Sequence, residues 1–482
     1  MKTEITAFEM RRIDRNCEGI GLLPIQLMEN AGAHVARVVR TRFDRGAIIV
    51  LAGTGNNGGD GFVAARHLLD YDPEILLLGR ARDITTDEAR QNWQILKNLG
   101  AKIREIRDSS ELPDLDADVI IDAILGTGVQ GRVREPAASA ICLINDSDAF
   151  VLSVDVPSGF DPDCIEYSVH ADLTVTFHRR KTGLFGHPGV TGEVEVAEIG
   201  IPARAERITG TGDLPPARSA GSHKGDSGRV LVVGGGAFTG APALAALAAL
   251  RTGADWVTVA APRNAAQVIA GFSPNLIVHT LSDRYLAHDD TRAIGALVRR
   301  HDAVVIGMGL GRKSETAEAV LEIIRSNPDA RFVIDADALH ALEMPLPERV
   351  RSATPVITPH AGEFEQLGGT VAADLDERCE LVMNFSARNR VVTLLKGEID
   401  VISDGEDVRT NHTGNAGMTV GGTGDVLAGV VGSLLTKHDA TAAATAGAFI
   451  TGTAGDIAFR RFGYGLLATD VIECVPEAMW GV

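Results

Sequence analysis

Ile48-Ile-Val-Leu-Ala-Gly53-Thr-Gly55-Asn56-Asn57-Gly58-Gly59-Asp60-Gly61-Phe62-Val-Ala-Ala-Arg66 decides the fold of the first half of this chain. A short apolar run passes into a glycine-rich turn, and an apolar stretch then opens a helix at Phe62. Strand, turn and helix in this order bring backbone N–H groups close to a phosphate at a helix N-terminus. The string satisfies G-x-G-x-x-G, the fingerprint of a dinucleotide fold. That fold also wants an acid at the end of the next strand to hold a ribose, but here the strand ends Leu78-Gly79-Arg80. Arg80 suits a 2′-phosphate. The Asn-Asn-Gly-Gly-Asp core adds three polar side chains that such a turn does not need. The plainer alternative is a structural turn with Asn and Asp at positive φ.

Outward from this stretch, apolar runs alternate with helical patterns. Ala47–Ala52, Glu74–Leu78, Val119–Ile124, Phe150–Val154 and Leu173–Phe177 read as buried strands, and Thr6–Val39 as two helices broken near Gly19–Pro24. Continuous apolar strands between helices predict a parallel sheet covered on both faces. A linker is expected at Ile208–Gly221, ITGTGDLPPARSAG, which has a Pro-Pro pair and no periodicity. The pattern then restarts with Arg229–Val233, Trp256–Ala260, Ala303–Ile306, Phe332–Asp335, Pro355–Thr358 and Val391–Lys396, after which Val401–Ile402 pairs back as a hairpin. The expectation is two α/β domains, 1–210 and 214–482.

Composition excludes several classes. The chain has 482 residues, 45% hydrophobic and 23% charged, as in an ordinary globular protein. Its net charge of −18 gathers into no basic half or stripe, so no nucleic-acid partner is expected. No run is long and apolar enough to span a bilayer, and the N-terminus has no signal-peptide core, so no membrane partner is expected. Five scattered cysteines argue against zinc or disulfides and for a cytoplasmic location. Only 8 of the 46 basic residues are Lys, so their positions are informative.

Ligands in doubly wound sheets bind beyond the carboxyl ends of the strands. Asp60, Asp122 (in Val119-Ile-Ile-Asp122-Ala-Ile-Leu-Gly126) and Asp155 (in Val154-Asp155-Val-Pro157-Ser158) converge on such a crevice. Buried acids need a cation or hydrogen-bonding ligand. Carboxylate, Asn and Ser oxygens suit K⁺, Na⁺, Mg²⁺ or Ca²⁺ rather than Zn²⁺. Asp122 or Asp155 capping a helix is the alternative. Lys181 follows the strand Leu173–Phe177 and forms with Asp155 a candidate proton-transfer pair, unless it is an exposed loop lysine.

NNGGDG, DAILGTG, SVDVPSGFDP and TVTFHRRKTG, in this order, resemble the NAD(P)H-hydrate epimerase domain over roughly residues 1–210. The resemblance implies a Rossmann-like three-layer α/β/α fold and a K⁺ site at Asn57, Asp122 and Ser158. It also implies hydrate contacts at Asn56, Asn57, Gly58, Gly59 and Asp60, at Gly126, Thr127, Gly128, Val129, Gln130, Gly131 and Arg132, and at Asp155. Asp155 and Lys181 would carry the epimerisation.

In the second half, Lys224 precedes a strand and Lys396-Gly397 ends one, positions that favour anion binding. Asn411-His-Thr-Gly-Asn-Ala-Gly417-Met-Thr-Val-Gly421-Gly422-Thr423-Gly424-Asp425 leads into an apolar helix. Backbone N–H groups there can hold a transferring phosphoryl group, with Asp425 as general base. An acid that merely complements the helix dipole is the alternative. This pattern resembles the ribokinase-like fold. With SHKGDSGRVLVVGG, GMGLGR (307–312), TPHAGEF (358–364) and LLKGEIDVI, it resembles the NAD(P)H-hydrate dehydratase family over roughly 214–482. Implied hydrate contacts are Ala243, Gly309, His360 and Asp425. The implied nucleotide set is Lys224, Lys396, Gly397, Glu398, Ile399, Asp400, Gly422, Thr423 and Gly424.

Together the two halves imply a bifunctional repair enzyme for hydrated nicotinamide cofactors. NADHX and NADPHX would be its substrates and ADP with Mg²⁺ its phosphoryl donor, with release of AMP and phosphate. Assembly as a homo-oligomer is expected by analogy with related dehydratases. Two alternatives stand beside this reading. One is a small-molecule kinase for a hydroxymethylpyrimidine or sugar with a Rossmann-like regulatory domain. The other is that one domain is a degenerate binding module.

Overall fold

The computed structural model describes residues 4–127, 131–216, 221, 223, 225–346 and 353–481. Gly128, Val129, Gln130 and Lys224, all expected site residues, lie outside the described residues. The chain forms two compact units, Met1–Glu206 and Arg207–Val482.

The first unit holds seven parallel strands. Their spatial order is Lys102–Ile106, Glu74–Leu78, Ile48–Ala52, Val119–Ala123, Phe150–Val154, Leu173–Phe177 and Glu193–Ala197. The chain starts at Ile48, runs outward to Lys102, then returns to the other side of Ile48–Ala52. The strand order therefore reverses between Ile48–Ala52 and Val119–Ala123, which opens a crevice at their carboxyl ends. Apolar clusters cover both faces of the sheet, giving the Rossmann-like three-layer arrangement. Two helices, Ala7–Gly19 and Pro24–Arg42, precede it. A reciprocal Thr6–Glu9 cap starts the first and Pro24 in its first turn starts the second.

The glycine motif differs from its reading as a turn. The helix begins at Asn56, six residues before Phe62, and runs to His67. None of residues 53–61 has a positive φ. These glycines serve close packing instead. A Cβ on Gly58 would lie 2.0 Å from the Gly53 carbonyl oxygen, and one on Gly61 2.6 Å from Ala123 Cβ. The first turn of the helix is thereby pressed onto the strand ends.

The second unit has the ribokinase-like α/β fold, with nine strands. Ile277–Thr280, Trp256–Ala261, Arg229–Val233, Ala303–Ile306, Phe332–Ile334, Val356–Ile357 and Val392–Leu395 are parallel. Asp400–Ser403 and Val408–Asn411 continue antiparallel, with Leu394 opposite Ile402 in the expected hairpin. Helices Gly240–Thr252, Thr423–Leu434 and Ala468–Trp480 share one apolar core beneath the sheet. Their contact is close enough that a Cβ on Gly429 would meet the Ala245 carbonyl oxygen at 2.0 Å.

Residues 208–213, expected within a linker, pair with the sheet. Ile208 bridges Thr410, and Thr209 donates its N–H to the Thr410 carbonyl at 2.9 Å. Asp213 meets Arg409 at 3.1 Å, with both side chains at most 6% exposed. Among the described residues no helix is long and apolar enough to cross a membrane. All five cysteines are free thiols.

Candidate functional site

In the first unit a cavity of about 1290 Å³ opens beyond the reversal point of the sheet. Asn56, Asn57, Asp60, Gly126, Thr127, Gly131, Arg132, Asp155 and Lys181 all line it, so residues scattered over the sequence meet in one place. Gly58 and Gly59 are buried in the first turns of the helix behind this wall.

Two consecutive strand ends aim the central pair. After Phe150–Val154, Val156 donates its N–H to the Val154 carbonyl at 2.9 Å across Asp155, whose φ is +66°. After Leu173–Phe177, Arg179 donates to the Phe177 carbonyl at 2.7 Å across His178, whose φ is +65°. An i to i+2 bond around a residue with positive φ is the rare γ-turn, and its strain is characteristic of functional positions. The first turn swings the Asp155 carboxylate towards the cavity. The second folds the chain back so that Lys181 reaches it: Lys181 Nζ lies 2.8 Å from Asp155 Oδ1 and donates to the Phe177 carbonyl at 2.7 Å. Lys181 is only 3% exposed, so it is no loop lysine. A buried ammonium requires such partners.

Of the further carboxyls that line the same cavity, two are raised in pKa. Asp60 is pushed well above the usual carboxylate range by burial and by the charges of Asp155 and Asp14, against the attraction of Lys181. Asp14 is raised to about 6 by burial, with Lys181 opposing and Asp155 assisting. Sequence reasoning missed Asp14. It sits in a charged helical stretch, Met10-Arg-Arg-Ile-Asp14-Arg-Asn, which carries no glycine or strand-end signal.

Asp122 is a buried hub. It accepts from Ser153 Oγ at 2.8 Å, from Ser158 N–H at 2.8 Å and from Ser158 Oγ at 2.5 Å, and burial raises its pKa. Ser158 Oγ in turn accepts from Leu125 N–H at 2.8 Å. Asp122 therefore ties the loop leading to Gly126 to the loop leading from Asp155, and it caps no helix. Asn57 is buried beside Gly126, and its amide nitrogen has no hydrogen-bond partner in the protein. With amide O and N exchanged, Asn57 would present an unpartnered oxygen beside Gly126, whose loop Asp122 and Ser158 hold through Leu125. That donor set fits a hard monovalent cation.

In the second unit Asp425 lies in the first turn of Thr423–Leu434, whose N-cap is Gly422 at φ +100°. A side chain at Gly422 would also collide with Leu244 at 2.6 Å, which places Ala243's helix alongside. Lys396 Nζ stands 3.5 Å from the Cβ position of Gly424 and 2.9 Å from Asp335 Oδ1. Burial lowers the Lys396 pKa, but Asp335, Glu363 and Asp425 outweigh it and raise it overall. Asp425 is raised to about 7, first by burial, then by Asp335 and Asp337 against Lys396. Gly307 packs so tightly on Asp335 that a Cβ would sit 1.8 Å from its carbonyl oxygen, and Gly311 N–H donates to Asp337 at 2.8 Å. The loop bearing Gly309 is thus locked beside these acids.

His360 joins from a neighbouring loop, because Lys396 N–H donates to the Pro359 carbonyl at 2.9 Å. Its Nδ1 accepts from Glu363 N–H, capping Ala361–Gln366 and leaving an exposed imidazole edge. Of the expected nucleotide set, Lys396, Gly422, Thr423 and Gly424 come together. Asp400 instead holds its own hairpin, accepting from Gly397 N–H and the Asn411 amide, each at 3.0 Å. Gly397, Glu398 and Ile399 form that hairpin's turn. Asp335 and Asp337 were missed by sequence reasoning. Asp335 reads there only as the end of a strand, and its partner Lys396 is 61 residues away.

The profile of the NAD(P)H-hydrate dehydratase family matches residues 230–477, and that of the YjeF-related protein N-terminus matches 24–183. The chain is 47% identical over 480 residues to the bifunctional NAD(P)H-hydrate repair enzyme Nnr of Archaeoglobus fulgidus, covering 98% of both chains. The chain belongs to the bifunctional NAD(P)H-hydrate repair enzymes. A relative with the same name from Methanothermobacter thermautotrophicus is 44% identical and covers 98% of this chain and 94% of its own. A crystal structure of ADP/ATP-dependent NAD(P)H-hydrate dehydratase from Bacillus subtilis, with ATP and Mg²⁺, is 28% identical, with a TM-score of 0.48. It covers 55% of this chain and 93% of that one. As a member of the repair family, the protein acts on hydrated nicotinamide cofactors, with an epimerase domain followed by a dehydratase domain. The alternative of a hydroxymethylpyrimidine or sugar kinase is not favoured.

Proposed function

We propose that Asp155 and Lys181 perform the epimerisation, and that Asp425 is the base of an ADP-dependent dehydration. The observation that carries this is the same in both units: a lysine paired with one carboxylate at under 3 Å, beside a second acid that burial keeps partly protonated. In the first cavity, Asp155, paired with Lys181 at 2.8 Å, is placed to accept the proton of the hydrate's hydroxyl. In the second, Asp425 takes the hydroxyl proton of the S hydrate as that oxygen attacks the terminal phosphoryl of ADP. The N–H groups around Gly422–Gly424 and the Lys396 ammonium steady the phosphoryl group. Phosphate then leaves with its oxygen, a proton leaves the neighbouring carbon, and NADH or NADPH is restored together with AMP.

Asn57, Asp122 and Ser158 are the residues that would hold K⁺, which would stiffen the two loops that Asp122 ties. Asp335 and Asp337 both push the Asp425 carboxyl up, and among the described residues no three acids gather as a metal site, so Mg²⁺ would come with the nucleotide phosphates. Mg²⁺ would neutralise the nucleotide phosphates. A reducing cytoplasm suits the free thiols.

The test is incubation of the whole protein with mixed R and S hydrates and ADP, following NADH absorbance. Full recovery is expected. Recovery of the S fraction alone overturns the epimerase assignment, and no recovery with ADP overturns the donor.

A further inference from the structure

Epimerisation requires two proton carriers. In a hydrated dihydronicotinamide the hydroxyl stands on a ring carbon bonded to the ring nitrogen. Inverting that carbon without losing water means breaking its C–N bond. The O–H proton passes to a base and the carbon becomes an aldehyde. The C–N electron pair goes to nitrogen, which takes a proton from an acid. Rotation and reclosure on the other face return both protons. One ionised and one protonated group must therefore face the substrate together. With Lys181 bound to it at 2.8 Å, Asp155 is the base of the proposed pair, and the acid is left unassigned.

We infer that Asp14 is that acid, a further catalytic residue supplied to the cavity by the helix Ala7–Gly19. This rests on the reading of Asp155 and Lys181 given above. Asp14 lines the same cavity as both. Its helix is fixed at its start by the Thr6–Glu9 cap, and the strand Glu4–Ile5 before it pairs with Arg180–Lys181, Ile5 opposite Lys181. The segment bearing Asp14 is thus stitched to the segment bearing the lysine. The groups facing it are Lys181, Asp155 and His178 from the strand ends, Asp60 from the helix Asn56–His67, and Glu18 and Cys17 on its own helix. Burial outweighs the attraction of Lys181, so its carboxyl retains a proton to about pH 6. Asp60, in the helix Asn56–His67, lies among the residues where hydrate contacts are expected and is assigned to binding.

The test follows conversion of pure R hydrate to the R/S mixture by chromatography, without nucleotide, on the whole protein. Asp14→Asn should lower kcat about 100-fold or more with little change in KM, and the residual rate should lack the decline above about pH 6 expected of the native protein. Asp14→Glu should restore much of the rate with that decline displaced. A native-like urea unfolding transition of the first unit reports that each variant is folded. Native kcat and pH profile in Asp14→Asn overturn the inference. So does a folded Asp14→Glu with no displaced decline, should Asp14→Asn fail to fold. Asp155→Asn is run in parallel: if it too keeps native kcat, the reading of the pair fails, whereas loss in Asp155→Asn alone sinks only the role of Asp14.

Discussion

The two lysine-centred clusters share their electrostatics and differ in what surrounds them. In each, one acid is tied to an ammonium at 2.8 or 2.9 Å and another is left with a raised pKa. In the first unit the acids line one cavity, Asp155 reaching it from a strained γ-turn and Asp14 and Asp60 from helices. In the second, Asp425 rides a helix whose first turn is free to bind an anion. Charge pattern alone therefore gives proton transfer, and phosphoryl transfer additionally needs the helix N-terminus.

The sharpest break in this comparison is Asp425→Asn. It should cut S-hydrate turnover by about 10²–10⁴-fold while leaving ADP binding intact by calorimetry. Retained turnover would show that the base lies elsewhere. Asp155→Asn should cut R-hydrate repair by about 10²–10³-fold and spare S-hydrate repair. Asn tolerates the positive φ at this position, so the fold should survive. Loss of both activities would mean that the clusters are not independent.

Lys396→Met tests the pairing itself. Asp335 is 2% exposed, and stranding it should cost about 3–5 kcal/mol in denaturant unfolding of the second unit. Lys396→Met with Asp335→Asn together should recover part of that loss. Gly58→Ala should destabilise the first unit by about 1–3 kcal/mol through collision with the Gly53 carbonyl. No change in urea midpoint would refute the packing role of the motif.

The smallest effect is the pH dependence. Asp425 must lose its proton to act, so dehydratase kcat/KM should rise about tenfold per pH unit below its value of about 7 and level above it. The linkage has the opposite sign. A carboxyl raised by folding stabilises the native state below the ordinary carboxylate range, and that contribution is lost as pH rises through 7.

What the sequence made legible follows from where each strand lies. The interior strands are buried on both faces and read as apolar runs. Besides the two-residue strands Glu4–Ile5 and Arg180–Lys181, four strands were missed, KIREI (102–106), EVEVA (193–197), IVHT (277–280) and VRTN (408–411), the outer strands of the two large sheets. The first three are largely exposed and so do not read as apolar runs. The fourth buries Arg409, Thr410 and Asn411, because residues 208–213 cover it. Among the residues of the two clusters, those beside glycines were readable, whereas Asp14, Asp335 and Asp337 come into them only by long-range juxtaposition. The glycine motif was found but its geometry was misread, because a helix that starts within it depends on the close approach of strand ends that one segment cannot reveal.

The clasp of residues 208–213 on Val408–Asn411 bears on how the two activities can be separated or recombined. A C-terminal half begun at residue 214 would strip Asp213 from Arg409 and bare the outermost strand, inviting edge-to-edge aggregation. A half begun at Arg207 keeps its own seam closed. The natural cut for grafting either activity onto another protein is thus between Glu206 and Arg207, ahead of the Pro-rich stretch that looks like the hinge.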